Sequence, residues 1–209
     1  MTPNPDHTVF VVDDDDAVRK AVSRLLRSAG ISAAVFASPR EFLAQYNPAT
    51  PGCLLLDMAM PELNGLELQT KLGEKGSILP IIFLTGHGDV SKSVQAMKQG
   101  AFDFLSKPVK DKDLLAAVRA ALEKDAVARL EQAKLSEIRT RLDTLTPRER
   151  EVLEHVVAGK LNKQIAGDMG IAEATVKMHR ARVMAKMKAQ SVAELARLTE
   201  RSGIRGNSE

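Results

Sequence analysis

Three short stretches of the chain are apolar without interruption: Val9 to Val12, Cys53 to Leu56 and Ile81 to Leu84. Each is too short for a helix and lacks the alternation of a half-exposed strand, so each reads as a strand covered on both faces. Between them the period changes. Val18, Val22, Leu25, Leu26 and Ala29 recur at helical spacing until Gly30, and similar patterns run from Leu63 to Leu72 and from Val90 to Lys98 before Gly100. Weaker strands near Ser32 to Phe36 and Ala101 to Leu105 complete five β-α repeats. Right-handed crossovers then leave a doubly wound, five-stranded parallel sheet as the predicted α/β architecture.

From Asp111 to Thr144 the chain has neither Gly nor Pro and is dominated by Ala, Leu, Glu, Lys and Arg. This predicts one long helix, or two with a short break, that ends the first domain and continues as a linker. Leu115, Val118, Leu122, Leu130, Ile138, Leu142 and Leu145 could form a dimer seam, but their spacing is no clean heptad, and a solvated connecting helix is the preferred reading. Beyond Leu145 come short helices with explicit boundaries. Thr146-Pro147-Arg148-Glu149 is a capping box with Pro at the first helical position, and Gly159 closes that helix. Asn162 is expected to cap a second helix that stops at Gly170, a basic helix begins near Glu173, and Ser191-Val192-Ala193-Glu194 caps a fourth. Four helices with this turn spacing predict an all-α helix-turn-helix bundle.

Length and composition agree with two domains: 209 residues, 44% of them hydrophobic, supply two cores more readily than one. No apolar run approaches the roughly 20 residues of a membrane span, so a soluble, cytoplasmic protein is expected. The single cysteine, Cys53, allows no intrachain disulfide and reads as a small buried hydrophobe. Charge is unevenly divided. Residues 1–110 carry 11 Lys+Arg against 12 Asp+Glu, residues 111–144 carry 7 against 7, and residues 145–209 carry 12 against 8. The basic excess lies wholly in the C-terminal part, whose natural partner is an acidic polymer.

Four consecutive carboxylates, Asp13 to Asp16, follow the first strand. A helix start explains Asp15 and Asp16, which can cap it and complement its dipole. It leaves Asp13 and Asp14 unexplained. In a doubly wound sheet, ligands bind beyond the carboxyl ends of the strands. Asp13 and Asp14 end one strand there, Asp57 another and Thr85 a third, with Lys107-Pro108 after the last. Mg2+, or Mn2+, would relieve the repulsion of the carboxylates, and Asp57 could act as a nucleophile toward a phosphoryl group. A phosphatase using the same nucleophile would want a second acid-base carboxylate close behind it, where Ala59 and Met60 stand.

These motifs, Val-Val-Asp13-Asp14, Asp57-Met58-Ala59-Met60-Pro61 with Gly65, Thr85-Gly86 and Lys107-Pro108, resemble the receiver domain of two-component response regulators, and Thr85 to Val90 resemble the FixJ-type subgroup. The resemblance implies phosphorylation of Asp57 by a sensor histidine kinase, a metal held by Asp13, Asp14, Asp57 and the Ala59 carbonyl, and a cis Lys107-Pro108 peptide. It also implies a switch made of Thr85 and Phe104, and an influence of Ala59 and His87 on the lifetime of the phosphate. Glycines at 86 and 88 should loosen that loop.

On the basic helix, a step of about 100° per residue places Val176, Val183 and Met187 on one stripe. Lys177, Met178, Ala181, Arg182, Ala185 and Lys188 fall opposite. Leu145 to Leu153, Asn162 to Ala166 and Thr175 to His179 resemble the LuxR/NarL-type DNA-binding domain. This resemblance assigns base contacts to Lys177, Met178 and Ala181, and backbone contacts to Lys163, His179 and Arg180. Ala181 offers no hydrogen bond to a base edge, and Arg182 is expected to compensate from the next turn.

The whole is similar to a FixJ/NarL-type response regulator: a receiver over 1–122, a helical linker over 123–144 and a DNA-binding domain over 145–209. As such it should be a bacterial transcriptional regulator rather than an enzyme, catalysing only its own phosphorylation from a donor and slow loss of the phosphate. The partners implied are a sensor histidine kinase, double-stranded promoter DNA, RNA polymerase and a second copy of itself after phosphorylation.

Overall fold

The structure is a computed structural model that describes residues 7–86 and 90–203. His87 and Gly88 lie outside the described residues. The chain forms two compact units, residues 1–130 and 131–209.

In the first unit, five parallel strands, β1 (Thr8–Val12), β2 (Ser32–Phe36), β3 (Gly52–Asp57), β4 (Ile81–Thr85) and β5 (Asp103–Ser106), lie in the order β2-β1-β3-β4-β5. The uninterrupted apolar runs became the three central strands, and every residue of β3 and β4 is buried. Helices α1 (Asp16–Ser28), α2 (Pro39–Gln45), α3 (Gly65–Glu74), α4 (Val90–Lys98) and α5 (Asp111–Asp143) make the crossovers and the exit from the unit. One core gathers Phe10, Phe36 and Phe42 with Tyr46 packed beside them, and the other gathers Val9, Val11, Leu26 and Leu84 with Leu114, Val118 and Leu122 of α5.

Several element ends shift from expectation, two of them with a clear local cause. β5 begins at Asp103 rather than Ala101, because Gly100 turns with a positive φ of 89° and Phe102 N donates to Ile81 O at 2.8 Å as a lead-in to the strand. α3 begins at Gly65 rather than Leu63, since Asn64 caps it in a capping box closed by Glu67. Glycine is required at 65. A Cβ there would stand 2.6 Å from Asp57 O and 2.8 Å from the Phe83 ring.

The second unit holds the last turns of α5 together with α6 (Pro147–Val157), α7 (Asn162–Met169), α8 (Glu173–Met187) and α9 (Val192–Arg201). Ile138, Leu142 and Leu145 bury with Val152, Ile165, Val176, Val183 and Met187. The stripe proposed for α8 is therefore its core side. Asn162 does not cap α7 as expected: the cap position is Leu161, whose N–H is taken by Gln164 at 2.8 Å. Asn162 instead accepts from Arg180 Nη1 of α8 at 2.9 Å, so its side chain joins the two helices of the turn.

α5 is one unbroken helix of 33 residues. The seam considered for it is divided: Val118 and Leu122 belong to the first core, Ile138, Leu142 and Leu145 to the second, and Leu130 between them is 57% exposed.

Candidate functional site

Strand register assembles the site of the first unit. Val12 pairs with Leu56, Asp57 with Leu84 and Thr85 with Ser106, so Asp13, Asp57, Thr85 and Lys107 fall at one edge of the sheet. Asp13 and Asp57 are buried and Thr85 is 3% exposed. Lys107 Nζ bridges the two carboxylates, donating to Asp13 Oδ2 at 2.7 Å and to Asp57 Oδ1 at 2.5 Å. Its own backbone N–H donates to Thr85 O at 2.7 Å, and the Lys107-Pro108 peptide is cis.

The other carboxylate oxygens are held by the backbone. Ala59 N donates to Asp57 Oδ2 at 3.0 Å and Asp15 N to Asp13 Oδ1 at 2.9 Å. Arg19, which sequence reasoning passed over, fixes this turn by donating to Asp13 O at 2.7 Å while pairing with Asp16. Its signal in the sequence was only an i,i+3 acid-base pair. Asp15 caps α1 as expected, accepting from Ala17 N. Asp14 stands exposed beside the cluster, and Phe104 on β5 is 43% exposed.

Burial pushes the Asp57 carboxyl above its ordinary value, and the Asp13 charge adds to this, while Lys107 and the Ala59 N–H pull the other way. For Lys107, burial disfavours the charged form, but the hydrogen bonds to Asp13 and Asp57 outweigh it and the ammonium is held above its ordinary range. One ammonium between two buried carboxylates leaves a negative charge uncompensated, and Asp14 adds another. That donor set suits a hard divalent cation. Among the described residues no three carboxylate, histidine or cysteine side chains are grouped closely enough to hold an ion by themselves.

The second site is the outer face of α8. Lys177, Ala181, Arg182, Ala185 and Lys188 are exposed and Met178 is 42% exposed, whereas His179 and Arg180 are half-buried. Lys163 on α7 is also exposed. The basic residues of α8 have separate duties. Arg180 donates one hydrogen bond to Asn162, which orients its guanidinium, whereas Lys186 reaches back to Glu149 Oε2 at 2.6 Å and Thr144 O at 2.9 Å and so holds the fold. Among the described residues Lys177 pairs only with Glu173, in an exposed i,i+4 pair. The exposed cations are thus Lys177, Arg182 and Lys188 around Met178 and Ala181, a surface that can follow a DNA groove.

The Lys186 pair gives a pH dependence. That salt bridge, with the Thr146 N–H, holds the Glu149 carboxyl down at about 2 against an ordinary value of 4.5. A carboxyl depressed on folding stabilises above the unfolded value and ceases to do so as pH falls through the folded one. The second unit should lose stability between about pH 4.5 and 2, by roughly 1–3 kcal/mol. Glu149→Gln should flatten this limb of an acid-denaturation curve followed by circular dichroism.

A buried acid pair bridged by lysine at the carboxyl edge of a doubly wound sheet, followed by a helix-turn-helix, defines a receiver-type domain joined to a DNA-binding module. Comparison with known proteins agrees. Residues 9–119 match the response regulator receiver domain and residues 143–199 the luxR family of bacterial regulatory proteins. The chain is 46% identical to nodulation protein W of Bradyrhizobium diazoefficiens over 95% of its own length and 88% of the relative's. It is 43% identical to the transcriptional regulatory protein FixJ of Rhizobium meliloti over 95% and 98%. The solved structure of the response regulator StyR superposes with a TM-score of 0.85 at 43% identity, covering 94% of this chain and 99% of that one. The chain belongs to the FixJ/NarL-type response regulators, transcription regulators with a receiver and a LuxR-type DNA-binding domain.

Proposed function

We propose that this regulator is switched by phosphorylation of Asp57 and that the phosphorylated form dimerises and binds promoter DNA through α8. The observation that carries the reading is the shared Lys107 ammonium between buried Asp13 and Asp57. Asp57 is oriented for attack by Lys107 at one oxygen and the Ala59 N–H at the other. An oxygen of its carboxylate forms the bond to phosphorus, and the donor group, a histidine imidazole of the sensor kinase or a small carboxylate, leaves with its electron pair. Asp13, Asp14, Asp57 and the Ala59 carbonyl would hold Mg2+ or Mn2+, which when bound supplies charge neutralisation for the transferring group. Lys107 then holds the acyl phosphate, and the Thr85 hydroxyl moves toward it.

Phe104 fills the space that Thr85 leaves, which takes an exposed aromatic ring out of water. Val94 and Met97 on α4 are likewise 49% and 40% exposed, and with Phe104 on β5 they form an apolar surface that, with α5, would receive a second copy. A dimer aligns two α8 helices with paired half-sites, where Lys177, Met178 and Ala181 meet base edges, Arg182 adds a hydrogen bond and Lys163, His179 and Arg180 meet phosphates. We place this action in the bacterial cytoplasm. α5 runs directly into the DNA-binding unit with no ATPase module between, which favours recruitment of RNA polymerase over ATP-driven activation.

Coupling of this kind typically amounts to about 1–3 kcal/mol, enough to shift a monomer-dimer population without a new fold. Light scattering with acetyl phosphate and Mg2+ should show the dimer fraction rising in wild type and not in Asp57→Asn. A dimer fraction independent of Asp57 would remove the switch from this reading.

A further inference from the structure

The core-facing stripe of α5 reads Leu114, Ala117, Val118, Ala121 and Leu122, all buried, and its next position is Asp125, which is fully buried as well. An acid on a core stripe, some 70 residues in sequence from the strand it touches, is not a solvated linker residue. Asp125 Oδ2 accepts from Gly52 N, the first residue of β3, at 2.9 Å, and from Arg129 Nε at 2.7 Å. Asp125 Oδ1 is buried without a hydrogen-bond partner. The Arg129 guanidinium then spreads over the loop before β3, donating from Nη1 to Pro48 O and Ala49 O at 3.0 and 3.3 Å and from Nη2 to Thr50 O at 2.9 Å. Gly52 itself cannot yield, since a Cβ there would lie 1.9 Å from Thr8 O.

The packing on α5 thins here: Val127, within this turn, and Leu130, just past it, are 59% and 57% exposed, and the first compact unit closes at Leu130. A helical segment without packing is marginal in water, because helical stability in proteins comes mainly from a buried face. Whether α5 continues unbroken past Leu122 therefore depends on what fixes the turn between Asp125 and Arg129.

We propose that Asp125 and Arg129 form a coupling clamp. They lock the last receiver turn of α5 onto the start of β3 and its preceding loop, so that α5 leaves the receiver as one rigid helix and carries the phosphorylation state to the DNA-binding unit. A guanidinium suits this task because its planar fork reaches a carboxylate and three carbonyls at once, which an ammonium cannot. The clamp is remote from the phosphoacceptor: it grips the amino end of β3, whereas Asp57 ends the same strand. It is thus positioned to act on transmission and not on phosphorylation. This inference rests on the phosphorylation switch proposed above.

The test uses the full chain as wild type, Arg129→Ala and Arg129→Lys. Hydrogen exchange by mass spectrometry is followed in residues 112–122 and 123–137, phosphoryl uptake at Asp57 by intact mass, and promoter affinity with and without acetyl phosphate and Mg2+. In both variants exchange should rise at least about tenfold in 123–137 and stay near wild type in 112–122. Phosphoryl uptake should be unchanged, while the gain in DNA affinity on phosphorylation falls to within about twofold. If Arg129→Ala takes up no phosphoryl group because the receiver is disturbed, Arg129→Lys decides. Unchanged protection in 123–137, or a phosphorylation gain that persists in a variant, overturns the clamp while leaving the switch intact. No gain in wild type overturns the switch and the transmission role together.

Discussion

Lys107→Ala should destabilise the first unit and uncouple the receiver from its response. Lys107 is the one ammonium bonded to both buried carboxylates, so its removal leaves Asp13 and Asp57 side by side without their counter-ion. Stripping one partner from a buried ion pair costs about 3–5 kcal/mol, since the remaining charge stays desolvated. Mg2+ should recover part of that loss. The variant is thus expected to melt lower than wild type in chelator and to regain a larger share of its melting temperature than wild type on adding Mg2+. Its dimer fraction should not rise with acetyl phosphate. Equal stability of the two proteins in chelator would show that the lysine is not what balances the acid pair.

The second large effect is expected on the outer face of α8. Lys177 and Arg182 are exposed and project from the face opposite the buried Val176, Val183 and Met187. Removing both should cost roughly 2–4 kcal/mol of promoter affinity, about 30- to 1,000-fold, at fixed salt. The salt dependence should become shallower by up to about one counterion for each phosphate no longer neutralised. Arg182→Ala alone should relax sequence preference, because Ala181 beside it offers no hydrogen bond. Lys186→Ala is the control. Lys186 is spent on Glu149 and Thr144, so its replacement should lower the melting temperature of the second unit and leave the affinity of the folded fraction close to wild type. An equal drop in affinity per charge removed in the two variants would mean that net charge alone governs binding.

Much of this was legible in the chain itself. Three strands buried on both faces announce themselves as unbroken apolar runs, and parallel pairing at consistent register then carries Asp13, Asp57, Thr85 and Lys107 to one edge. The capping box at Thr146 and Glu149 was readable because both partners are local. Features that depend on distant partners were not. Asn162 is chemically a good cap, but Arg180 on the following helix takes its amide oxygen and Leu161 holds the cap position. Asp125 and Arg129 look like any exposed i,i+4 pair, and only the fold brings them to Gly52 and residues 48–50. The leucines of α5 suggested a single seam because sequence does not mark where one core stops and another begins. Cys53, by contrast, is fully buried as expected, and burial pushes its thiol well above the ordinary value, which makes it inert.

The central claim is that Asp57, supported by Asp13, Asp14 and Lys107, accepts a phosphoryl group. Its most direct test is the intact mass of the full chain after incubation with acetyl phosphate, with Mg2+ or with chelator, for wild type and Asp57→Asn. A single phosphoryl adduct confined to wild type with Mg2+ is the predicted result. No adduct on wild type, even with a candidate sensor kinase supplied, or an adduct that persists in Asp57→Asn, would contradict the account.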